Sequence, residues 1–265
     1  MKFLSTFLFL LYSVGAYGQS QPVTSEDSTM RELLEKIKTK SITAEEKKKL
    51  TAIAYDVQNN GQTIAEQQHD YKGALELTSA AINLFKSLND TTSIANNQKF
   101  KGYLLGRLGN YSEAKKEISN AIKLYKSLGK EYGVAVSHFD LAMVYESENK
   151  IDSAIYYTNA ALDFWQSKSV GYRIFGLQTM LTNLYTKSNE LAKAKSFQQA
   201  SEKLLNDPDL HWQNLIDYYF VSEELYKKEK NNVSYNHYKD LYTGKIAELK
   251  QQGITGKSLY DNRAE

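Results

Sequence analysis

The chain has 265 residues, with 33 lysines and arginines against 31 aspartates and glutamates and a formal net charge of +2 at pH 7. A surface so nearly balanced sets up no global field to draw in nucleic acid or an anionic membrane, so neither is expected as a partner. The sequence contains no cysteine, which excludes disulfides, thiolate metal sites and lipid attachment through a cysteine.

The first predicted element is a leader. Lys2 precedes an apolar run that ends at Ala16, and Ala16-Tyr17-Gly18 puts small residues three places and one place before a cut at Gln19. That order of charge, apolar run and cut site is the pattern of a secretory signal peptide, and the run is too short to span a bilayer. Residues 1–18 are therefore expected to be removed on export, leaving a secreted or periplasmic chain without stable membrane insertion. Residues 19–50 read as a polar segment with a capping helix. A short helix is predicted from Asp27 to Lys38, and Thr43 with Glu46 three residues later forms a capping-box signature for the next.

From residue 51 to 252 the sequence repeats with a period of 40 residues. Blocks begin at Tyr71, Tyr111, Ile151, Leu191 and Asn231, and the first two share nine of twenty residues without a gap. A fixed period in this range means stacked units, each burying its apolar face against its neighbours. Within the block from Tyr111, apolar residues fall at Ala114, Ile118, Ala121, Ile122, Tyr125 and Leu128, the intervals of one helical stripe. Turns are marked by Gly109-Asn110, Asn149-Lys150, Asn189-Glu190 and Lys230-Asn231, since glycine and asparagine tolerate the left-handed backbone that ends a helix. Only Pro22 and Pro208 occur, both in predicted non-helical chain, and no strand-like alternation is present. The expected fold is all-α, a right-handed α-solenoid of about five stacked antiparallel helix hairpins, followed by a flexible C-terminal tail over residues 253–265.

The phase of these residues resembles the tetratricopeptide repeat (TPR), in an elongated form of about 40 residues similar to MalT-like arrays. One unit carries Gly102, Leu105, Gly109, Tyr111, Ala114, Ile118 and Ala121 at the family's positions, and the next carries Ala142, Tyr145, Asn149, Ile151, Ala154, Thr158 and Ala161. Small residues matter there because helix axes approach to about 8–10 Å only where side chains are short. The likeness fades at both ends, and a fourth unit has Ser201 in place of the second alanine.

Catalytic chemistry has no support in the sequence, and no cofactor or metal is expected. The four histidines, His69, His138, His211 and His237, form no two-ligand spacing, and no phosphate-binding glycine loop occurs. His138 falls where the repeat favours a bulky packing residue. The richer signal is aromatic, with 20 tyrosines. By the resemblance, the concave side of the superhelix is lined from the first helices by Asn96, Lys99, Tyr103, Arg107, Phe139, Met143, Thr179, Asn183, Tyr219 and Glu223. Aromatic anchors among amides and charges suit a peptide or protein partner. The alternative is a ligand-sensing component that passes a conformational change to a separate membrane protein. Oligomeric state is left open.

Overall fold

The computed structural model describes residues 25–256 and 258–261. The leader and its cut site lie outside them. Eleven helices and no strand occur among the described residues. Helix α1 (Ser25–Lys38) leads into five consecutive pairs. These are α2 (Ala44–Gln67) with α3 (Tyr71–Leu88), α4 (Thr91–Arg107) with α5 (Tyr111–Ser127), and α6 (Glu131–Ser147) with α7 (Ile151–Ser167). The last two are α8 (Gly171–Lys187) with α9 (Leu191–Glu202), and α10 (Trp212–Lys228) with α11 (Asn232–Gln251). The fold is a TPR-like array, as the sequence predicts. None of these helices is long and apolar enough to cross a membrane.

The 40-residue frame is visible in the backbone itself. His69, Asn89, Gly109, Gly129, Asn149, Ser169 and Asn189 follow one another at intervals of 20 residues, and each has a φ between 54° and 80°. After Asn89 and each later one, the N–H of the following residue reaches back five positions, as in Asn110 to Leu105 (2.9 Å), Lys150 to Tyr145 (2.8 Å) and Glu190 to Tyr185 (2.9 Å). These bonds satisfy carbonyls that the end of a helix leaves without partners. The frame slips by one residue after α9, which stops at Glu202 and gives way to a loop holding Pro208, so that Lys230 takes the next left-handed position (φ 58°). Upstream, the predicted capping box is formed: Glu46 N–H donates to Thr43 Oγ1 (3.2 Å) and Thr43 N–H donates to the Glu46 carboxylate (2.9 Å).

The described residues divide into two compact units, one up to Asp140 and the other from Leu141, the division falling within α6. In the first unit, α2 and α3 bury Leu50, Ala54, Val57, Leu77, Leu84 and Phe85, with Leu33 of α1 packed on the same cluster. Helices α4 and α5 approach more closely. A Cβ added at Gly102 would lie 2.4 Å from Ile118 Cγ1 and 3.0 Å from the Ala114 carbonyl, so only glycine fits.

In the second unit, α8 packs against α7, α9 and α10 and is buried nearly all round. Its apolar residues Phe175, Met180, Leu181 and Leu184 are inaccessible to solvent, each side chain contributing about 1.5–3 kcal/mol of burial. Its buried hydroxyls Thr182 and Thr186 donate to the carbonyls four residues back (2.9 and 2.7 Å). Helices α9, α10 and α11 meet through aromatics and a buried amide. Gln198 Nε2 donates to both Tyr218 OH and Tyr238 OH at 2.7 Å, and Phe175 packs on Tyr218 with centroids 5.3 Å apart.

Candidate functional site

The residues assigned to an inner lining all lie on the first helices of pairs, α4, α6, α8 and α10. In the first unit they form a half-exposed surface held in place by neighbours. Asn96 accepts a hydrogen bond from Tyr125 OH (2.6 Å), and burial raises the pKa of that phenol. Lys99 pairs with Asp140 at 3.5 Å, which ties α4 to α6. Tyr103 stacks on Phe100 with centroids 5.9 Å apart, and its hydroxyl titrates above the ordinary range because the ring is partly buried. The Arg107 guanidinium sits 5.0 Å over the Tyr71 ring. Phe139 is half-buried on α6.

The second unit treats its assigned residues differently. Met143 and Tyr219 are half-buried, but Thr179, Asn183 and Glu223 are only 2%, 6% and 1% exposed. Thr179 and Glu223 do not line an open surface, and Asn183 reaches only the wall of a pocket, which corrects the expectation from the frame. The periodicity places them on one face of α8 and α10 but does not report what covers that face. Asn183 Nδ2 donates to Glu146 Oε1 (2.5 Å), and the same carboxylate oxygen pairs with Lys187 (2.7 Å). Nearby, Lys228 Nζ donates to the Thr186 carbonyl (2.6 Å).

Sequence reasoning missed a polar centre on α10. Asp217 is 8% exposed and accepts three hydrogen bonds: from Gln213 Nε2 (3.2 Å), Ser258 Oγ (2.9 Å) and Leu259 N–H (2.8 Å). Burial pushes its pKa up to about 6 and prevails over those bonds, which act the other way. Tyr260 lies beside it in a pocket of about 610 Å³ that also involves Asn183, Thr186, Lys187, Phe220 and Lys228. Its phenol titrates well above the ordinary range, raised first by burial and then by Glu146 and Asp217. No motif in the sequence signals this centre, because two of its three partners are some 40 residues away in the chain.

Three of the four histidines sit in structural places. His69 holds a left-handed helix end (φ 54°), His138 is partly buried with its pKa lowered by that burial and by Lys126, and His211 Nδ1 caps α10 by accepting from Gln213 N–H (3.3 Å). Among the described residues, no group of three histidine, aspartate or glutamate side chains is placed to share a metal ion.

The fold is that of the TPR-like repeat proteins. Among solved structures the chain is similar to BtubC (BKLC) from P. vanneervenii, with a TM-score of 0.62, 16% identity and coverage of 91% of this chain and 97% of that one. It is also similar to the TPR-like repeats of a Podosopora anserina kinesin light chain, with a TM-score of 0.52, 15% identity and coverage of 77% and 96%. A second structure of those repeats, carrying one substitution, gives 0.53 at 14% identity, covering 78% and 96%. At these identities the likeness establishes the fold. No protein-family model matches the chain, and no curated protein matches it by sequence.

Proposed function

We propose that this chain is an exported, non-catalytic scaffold that binds an extended peptide, or a segment of a protein partner, on the first-helix faces of its helix pairs. The observation that carries this reading is the surface of α4 and α6 in the first unit. There, half-buried Tyr103 and Phe139 stand with Lys99 and Arg107, and each cation is held by a neighbour, Asp140 or the Tyr71 ring. Tyrosine and arginine are the residue types that most often anchor an interface, and side chains already fixed in one rotamer lose less entropy on binding. The TPR-like fold supports a protein partner, and the leader pattern in residues 1–18 supports export.

The test replaces Tyr103 and Phe139 together by alanine. Wild-type chain and double variant are each used as bait in the exported fraction of the native host, and co-purifying proteins are identified. Loss of one defined partner, with helical circular dichroism unchanged, is expected; equal recovery by both baits counts against the surface. N-terminal sequencing of the exported chain is expected to begin at Gln19.

A further inference from the structure

The segment after α11, expected as a flexible tail, returns to the face of α10. Ile254 joins the apolar cluster of Ile216, Phe220, Val221, Tyr242 and Leu249. Gly256 passes so close that a Cβ there would lie 3.0 Å from both Trp212 and Leu249. Ser258 is 4% exposed and gives its hydroxyl to Asp217, while the Leu259 N–H goes to the same oxygen. Tyr242 OH donates to Asp261 Oδ2 (2.9 Å) and accepts from the Ser258 N–H (3.4 Å). Tyr260 packs against the cluster beside Phe220. The described residues of this stretch have no helix or strand of their own. It is held by main-chain N–H groups and by side chains in successive places, which is how extended peptides are recognised.

Two features distinguish this contact from simple closure of the last helix pair. A buried carboxylate is costly unless its acceptor capacity is used, and two of the three donors that Asp217 uses come from the tail. Apolar closure would need no such group. The pocket next to Tyr260 also stays open, at about 610 Å³, with Lys187, Glu224, Lys227 and Lys228 along it, so the tail fills only part of the surface.

We infer that the α8–α10 face is a recognition site for an extended segment bearing a hydroxyl residue, a tyrosine two places later and an acid after it, and that residues 254–256 and 258–261 occupy it in cis until a partner segment of the same chemistry displaces them. This rests on the peptide-binding reading above but concerns a different surface. Tethering a few residues from α11 gives the tail a high effective concentration, so a competing segment must bind more tightly or reach the unfilled pocket.

The test uses the full chain and a labelled synthetic peptide of residues 253–261, GITGKSLYD. The chain carrying Ser258→Ala with Tyr260→Ala is expected to bind this peptide at least roughly tenfold more tightly than wild type, whose own tail competes. A peptide with alanine in place of its tyrosine should lose binding to the same variant. Failure of GITGKSLYD to bind a variant with wild-type helicity overturns the inference. Hydrogen exchange on the wild-type chain is the second measurement, and it stands even if the variant misfolds. The Leu259 amide should exchange through local opening, faster than the amides of α8 and α10. Exchange only with global unfolding would make the tail a permanent part of the core and overturn the proposal. Neither experiment involves Tyr103 or Phe139, so the peptide-binding reading of the first unit can fail or hold separately.

Discussion

The pairs α4–α5 and α10–α11 fill the same backbone frame with opposite chemistry. The first is built on small residues: Gly102, Ala95, Ala114 and Ala121 are fully or almost fully buried, and the helices meet closely enough to exclude a Cβ at Gly102. The second replaces them with rings. Tyr218, Phe220, Tyr226, Tyr238 and Tyr242 are buried there, and the hydroxyls of Tyr218 and Tyr238 receive hydrogen bonds from one glutamine, Gln198. The difference teaches that the repeat specifies helix length and turn position while leaving the filling of each interface open. Close contact of small groups and wide aromatic contact with buried polar pairing both satisfy it.

The contrast is sharpest at the largest side chain that is fully enclosed. Tyr218→Ala should destabilise the chain by about 4 kcal/mol in urea titration, the cost of an emptied aromatic site. Tyr218→Phe keeps the ring and should cost only about 1 kcal/mol, the usual worth of a hydrogen bond. If the two variants cost the same, the ring contributes nothing beyond its hydroxyl and the comparison fails.

Two carboxylates extend the comparison to pH. Asp90, which caps α4, is raised by partial burial, but the hydrogen bonds from Ser93 prevail and hold it below the usual range. Asp217 on α10 goes the other way, up to about 6 from 3.8. An acid whose folded pKa exceeds its unfolded value binds protons more tightly when folded. Its contribution to stability is therefore full below about pH 4 and is lost as pH rises to about 6, by up to roughly 2–3 kcal/mol. Asp217→Asn keeps an oxygen to accept from Ser258 and Leu259 and should flatten the stability profile between pH 4 and pH 6. An unchanged slope would remove Asp217 as its source.

The small-residue pair supplies the complementary test. Gly102→Val forces Ile118 out of its place and should cost about 2 kcal/mol by thermal unfolding. A neutral result would mean that α4 and α5 can separate without penalty.

Helices α4, α5, α6 and α8 were legible because their ends carry local signals, a left-handed glycine or asparagine at Gly109, Gly129, Asn149 and Asn189, beside an apolar stripe of helical period. The one-residue slip before α10 was not, since it comes from the early stop of α9 at Glu202. Among the assigned lining residues, the frame placed Asn96, Lys99, Tyr103 and Arg107 together on α4, and they stand there with bound neighbours. It misjudged Thr179, Asn183 and Glu223, because a period reports which face a residue takes but not what lies over it. The docking of residues 254–261 was invisible for a related reason. Gly, Ser and Asp read as solvent-facing chain, and only the distant Asp217 and Tyr242 give Ser258 and Asp261 partners.

The left-handed residues recur at the same interval inside a pair and between pairs, so the backbone does not distinguish one kind of corner from the other. Insertions and deletions in such a chain therefore come in steps. Whole helices, and more safely whole pairs, can be gained or lost with every remaining stripe still facing inward. A single residue added within a helix would rotate everything after it by about 100°. The slip before α10 is accommodated where α9 has given up its last turns to a proline-containing loop, so a residue inserted in that loop should disturb the packed stripes least.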